Sequence, residues 1–107
     1  MEVDVPVEYS IFLAQHGAFE GFVAGDDMPG YVELWSLEAI EGNNREIEIA
    51  EYAPGFLAFA GDGGGEVLAF DSVGAVYMLP LIGMAPESAV KVADCFTDLA
   101  ARFELAA

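Results

Sequence analysis

Between Pro54 and Leu79 the chain spells three short apolar runs parted by tight turn sequences, and this block limits the fold more than any other. Phe56-Leu57-Ala58-Phe59-Ala60, Val67-Leu68-Ala69-Phe70 and Ala75-Val76-Tyr77-Met78-Leu79 each have the length and composition of a strand. The connectors are Gly61-Asp62-Gly63-Gly64-Gly65-Glu66 and Asp71-Ser72-Val73-Gly74. They are too short for the crossover that a parallel pair needs, so the block predicts an antiparallel meander opened by the Pro54-Gly55 turn.

Upstream, Val5, Tyr9, Phe12, Leu13 and His16 recur at helical spacing, which predicts a helix from about Pro6 to His16. Pro6 suits a first turn and Gly17 a C-terminal stop. Phe19 to Val23 and the alternating Tyr31-Val32-Glu33-Leu34-Trp35 read as two strands of a hairpin around the loop Ala24 to Gly30. Ser36 is a good N-cap for a short helix over Leu37-Glu38-Ala39-Ile40, which Gly42-Asn43-Asn44 should end. Arg45 to Tyr52 alternates Ile47 and Ile49 with Glu46, Glu48 and Glu51 and reads as an extended, exposed piece. A last helix is expected from about Pro86 to Leu105, with Ala89, Val92, Ala93, Phe96, Leu99, Ala100 and Phe103 as its apolar stripe. The order is helix, two strands, short helix, three strands, helix. This predicts an α+β fold, one domain over residues 1–107, with an antiparallel or mixed sheet of about five strands and helices on one face.

Charge narrows the partners. The chain of 107 residues has 19 acidic and 3 basic side chains, for a formal net charge of −16. Twelve of the acids fall within residues 1–51 against the single base Arg45. Such a surface repels nucleic acid and anionic membranes and attracts basic proteins. No apolar run approaches the roughly 18 residues of a membrane span, and Glu2 and Asp4 stand where a secretory leader is positive. A cytoplasmic protein is expected. The one cysteine, Cys95, excludes an internal disulfide and reads as a buried structural thiol.

Few residues suit chemistry. The glycine-rich turn lacks the lysine and hydroxyl residue of a phosphate loop and leads into a strand, so its glycines read as turn formers. Asp62, Glu66 and Asp71 are hard oxygen ligands, but their spacing is not that of a calcium loop. The sole histidine, His16, is placed to cap the first helix. Neither a recognisable nucleophile nor a cationic group for an oxyanion is present, so no enzyme activity, cofactor or metal is expected. Trp35 reads as a core residue. Tyr31, Met28 and Pro29 flank the acidic Asp26-Asp27 and could meet a basic partner.

Four blocks together resemble the SUKH superfamily, which includes a fungal cell-wall-assembly regulator and many bacterial toxin-immunity proteins. The first is Pro6-x-x-Tyr9-x-x-Phe12-Leu13-x-x-His16-Gly17. The second is Tyr31-Val32-Glu33-Leu34-Trp35-Ser36-x-Glu38. The third and most specific runs from Pro54-Gly55-Phe56 through Gly61-Asp62-Gly63-Gly64-Gly65-Glu66 to Phe70-Asp71. The fourth is the stretch Ala93 to Leu99 around Phe96. The chain departs from the family in ending its first helix in His-Gly instead of Asn-Gly, and in lacking the extra helix before the proline. Self-association could cover the side that this helix would shield. The resemblance implies a non-enzymatic domain that binds a partner protein, in bacteria commonly a nuclease-like toxin, and the acidity agrees with a basic partner. The residues expected to meet it are Glu20, Asp26, Asp27, Glu33, Glu38 and Glu41, with Tyr31 adding apolar contact. A regulatory or scaffold domain without a toxin is the second reading, and a metal-binding domain built on Asp62, Glu66 and Asp71 the third.

Overall fold

The meander expected from residues 54–79 forms the centre of a six-stranded antiparallel sheet in a computed structural model that describes residues 3–25 and 29–105. The strands are β1 (Glu20–Phe22), β2 (Tyr31–Leu34), β3 (Leu57–Gly61), β4 (Glu66–Phe70), β5 (Val76–Pro80) and β6 (Val90–Ala93), lying side by side in chain order. Among the described residues four α-helices accompany them: α1 (Val7–His16), α2 (Leu37–Glu46), α3 (Ile49–Tyr52) and α4 (Phe96–Ala100). The fold is α+β, with a curled antiparallel sheet.

Both faces of the central strands are buried, which explains why their sequences are apolar at nearly every position. One face carries Phe59, Leu68, Phe70, Val76 and Met78 and is covered by Tyr9 of α1 and by Phe96 and Leu99 of α4. The other carries Ala58, Val67, Ala69 and Leu79 and is covered by Ile49, Ala53 and Met84. The expectation of helices on one face is therefore corrected. Small residues at 58 and 69 leave room for α3 and the β5–β6 connection on the second face.

A bulge in β3 sets the first core. Ala58 pairs with Ala69 and Ala60 with Leu68, so Phe59 is the extra residue. The bulge turns Phe59 and Ala60 to the same face. The Phe59 ring then stacks on Phe70 at 4.0 Å, and Tyr9 meets Phe59, Phe70 and Phe96 edge-on. Such ring pairs contribute about 1 kcal/mol each beyond their buried area. The Tyr9 hydroxyl donates to the Trp35 carbonyl at 2.6 Å and lies 3.2 Å from that of Phe59. Burial pushes this phenol well above its usual range, so it remains a donor that joins α1 to the bulge.

Two local expectations in the middle of the chain are corrected. Helix α2 does not stop at Gly42-Asn43-Asn44 but runs through them to Glu46. Asn44 is retained because its amide is used: Nδ2 donates to the Ala58 carbonyl at 2.8 Å, and Oδ1 accepts from the Ala58 amide at 2.8 Å. Ser36 caps the start of α2 as expected, accepting from the Ala39 amide. Residues 45–52 are not extended. They complete α2 and form α3, separated by Glu48 in the left-handed conformation at φ 57°, and Ile49 is buried.

The long terminal helix is also absent. Residues 86–105 divide into a 3-10 turn (Pro86–Ser88), β6 and α4. The stripe holds only from Phe96 onward, where Phe96, Leu99 and Phe103 are buried at helical spacing. Val90, Lys91 and Ala93 instead pair with β5 along its edge. Cys95 stands at the N-cap of α4 and is half-buried, not enclosed.

After α4 the chain returns to the far edge of the sheet. The Ala24 amide donates to the Arg102 carbonyl at 2.6 Å, and the Glu104 amide donates to the Phe22 carbonyl at 3.0 Å. Val23 and Phe103 thus form an antiparallel bridge, and Phe103 stacks on Phe19 at 4.9 Å. The outer edge of β1 is closed by this segment.

Candidate functional site

The two hairpin turns of the meander are built alike. Asp62 Oδ1 accepts from the amides of Gly64 and Glu66, and Asp71 Oδ1 accepts from those of Val73 and Ala75. In each case an aspartate fastens the amide four residues on, which accounts for both aspartates as turn formers. The turns lie at opposite ends of β4, some 15 Å apart by strand rise. Asp62, Glu66 and Asp71 are therefore not brought together, and the reading of a shared metal site among them is corrected. No group of three or more His, Cys, Asp or Glu among the described residues could hold a metal ion.

The acids expected to meet a partner fall into three places. Glu38 and Glu41 are exposed on α2, and Glu41 accepts from Arg45 at 2.9 Å. Asp26 and Asp27 lie outside the described residues, in the connection between β1 and β2. Glu20, Tyr31 and Glu33 come together on the outward face of the β1–β2 hairpin. The period-2 alternation of the strands does this: Val23, Val32 and Leu34 point into the first core, so Glu20, Phe22, Tyr31 and Glu33 point away from it.

Register fixes the details of that face. Glu20 is paired with Glu33, and Phe22 with Tyr31. The Phe22 and Tyr31 rings meet edge-on at 5.6 Å, and Phe22 remains 64% exposed. The Tyr31 hydroxyl donates to a Glu20 carboxylate oxygen. That bond, with the negative charges of Glu20 and Glu33, pushes the phenol up to about 12. Tyr31 also rests on the glycine turn. Gly63 has φ +82°, and a Cβ there would come within 3.0 Å of the Tyr31 ring, so this turn requires glycine.

The same row continues across the sheet. Glu33 is opposite Gly61, Gly61 is opposite Val67, and Val67 is opposite Leu79. Val67 and Leu79 belong to the second core, whereas Glu20 and Glu33 are exposed. Gly61 is the step between them. Phe22 and Gly61 were not among the residues expected at the site. The signal for Phe22 was its two-residue offset from Glu20, matching that of Glu33 from Tyr31.

A hollow of about 700 Å³ opens elsewhere, between α2, α3 and the start of β3. Its polar side chains are already engaged, Glu41 with Arg45 and Asn44 with Ala58. The remaining family-motif residues are structural in placement. Tyr9, Phe70 and Phe96 are core, Phe12, Leu13 and Trp35 pack against it, and Pro54 and Gly55 lead into β3. His16, in the last turn of α1, lies against the Phe12 ring at 4.6 Å. Among the described residues no helix is long and apolar enough to cross a membrane.

Comparison with known proteins agrees with this architecture. The model of the SMI1 / KNR4 family (SUKH-1) matches residues 1–102. No curated protein matches the chain.

Proposed function

We propose, from the premise that the chain belongs to the SMI1 / KNR4 family (SUKH-1), that it is a non-enzymatic protein-binding domain that neutralises a basic, nuclease-like toxin by covering its cationic surface. The observation that carries this reading is the concentration of acid in residues 1–51, with Glu20, Glu33, Glu38 and Glu41 all exposed. A nuclease must hold phosphates and is basic where it does so. An acidic protein both steers itself to that surface and excludes the substrate from it. Glu20, Tyr31 and Glu33 supply one part of the interface, and Glu38, Glu41 and the connection bearing Asp26 and Asp27 supply the rest.

The test is a capture experiment followed by a salt series on whichever partner is identified. Affinity should fall at least about tenfold between roughly 0.1 and 1 M salt, because exposed charge pairs are screened over that range. An affinity that does not change with salt would exclude an electrostatic interface.

A further inference from the structure

We propose that the outward face of the sheet at β2 and β3 seats a guanidinium side chain of the partner protein above Gly61, held by Glu33, with Tyr31 beside it and Glu20 adding negative charge from the far side of Glu33. The proposal rests on the protein-binding reading above and names the chemistry of one contact within it.

Charge complementarity comes first. Glu20 and Glu33 stand directly opposite each other in an antiparallel pair, where like charges repel. The Tyr31 hydroxyl holds one Glu20 oxygen but brings no positive charge. The two salt bridges among the described residues are Arg45–Glu41 and Lys91–Asp94, and neither involves this pair. Arg102 Nε donates to the Ala24 carbonyl. A cation held beside Glu33 would offset that repulsion, so binding is favoured over the free state by more than one new contact.

Shape comes second. The position beside Glu33 on the same face is Gly61, where an added Cβ would meet nothing within 4 Å. The row therefore has a gap with a flat backbone floor, bounded by Glu33 on one side and by Val67 on the other. Tyr31, its ring against Gly63 and backed on its far side by Phe22, stands at the end of the gap. A planar guanidinium matches this combination better than an ammonium. It can bond a carboxylate through two N–H groups while its face lies against an aromatic ring.

The test is an amide-resonance titration of the whole chain with three blocked tripeptides: Gly-Arg-Gly, Gly-Lys-Gly and the neutral isostere Gly-citrulline-Gly. Gly-Arg-Gly should bind at about millimolar strength, ordinary for one side chain. The shifts should centre on Gly61, Glu33 and Tyr31, and the citrulline peptide should give none. Gly61→Val should fold, since the site has room and the strand suits a β-branched residue, and it should weaken Gly-Arg-Gly about tenfold or more. Glu33→Gln should do the same without changing the floor. Shifts spread evenly over the acidic surface would overturn the proposal, as would a citrulline peptide that binds equally well. Unchanged binding by Gly61→Val would overturn it too. If Gly61→Val does not fold, unchanged binding by Glu33→Gln decides against the slot. No outcome of this titration bears on the salt series, so the slot can fail while the wider binding reading stands.

Discussion

Asn44 occupies a position where a strand would otherwise be needed. Strand β2 leaves β3 after Leu34, and the Ala58 amide and carbonyl further along β3 would face helix α2 without partners. The side-chain amide of Asn44 carries a donor and an acceptor in one plane, as a peptide group does, and bonds both. The same Nδ2 also donates to the Ile40 carbonyl at 2.7 Å. Asn44→Ala should therefore cost about 3 kcal/mol in a denaturant melt, the penalty of leaving two buried backbone groups unsatisfied. A loss under about 1 kcal/mol would mean that water replaces the amide. Tyr9 is a second such residue. Its hydroxyl reaches the Trp35 carbonyl, where the chain passes from β2 towards α2.

At the scale of elements, the segment after α4 decides whether β1 is an edge. Phe103 is buried, stacks on Phe19 and brackets the backbone bonds to Phe22 and Ala24. Phe103→Ala should destabilise the chain by about 3 kcal/mol, the usual cost of removing a core phenylalanine. It should also raise hydrogen exchange at the Ala24 amide more than at amides of β4. Equal acceleration in both strands would show that the segment and the sheet open together. The helical expectation for residues 86–105 failed here because its apolar spacing served two structures. Val90 to Ala93 satisfies a strand as well as a helix, and only the unpaired edge of β5 decides between them. That edge is a tertiary fact with no local sequence signal. The meander was legible because its turns are short and its aspartates and glycines have few other uses. Residues 45–52 were misread because Ile47 and Ile49 alternate with glutamates, while the left-handed Glu48 that makes Ile49 face inward is a backbone state no spacing reveals. Of the site, Glu20, Tyr31 and Glu33 were legible through alternation and charge. Gly61 was not, because what distinguishes it is a neighbour set across three strands.

For the whole molecule, a net charge of −16 works against folding and for encounter with a cation-rich partner. The two salt bridges among the described residues are exposed pairs close in sequence and offset little of it. Raising salt from about 0.1 to 1 M shortens the screening length from about 10 to 3 Å and should stabilise the free protein. Its melting temperature should then rise by about 5 °C for each kcal/mol of repulsion relieved. Partner affinity should fall over the same range, so the two readouts should move in opposite directions. A melting temperature that does not change would mean that the acids are spaced widely enough to ignore one another. The closure of β1 by residues 102–104 has a consequence in time. Every pairing from β1 to β6 joins strands consecutive in the chain and can form as soon as both have left the ribosome. The contact of Arg102 with Ala24 spans 78 positions and cannot. Until residues 102–104 emerge, the outer edge of β1 therefore stands open in the nascent chain, and a polysome brings many copies of that edge close together.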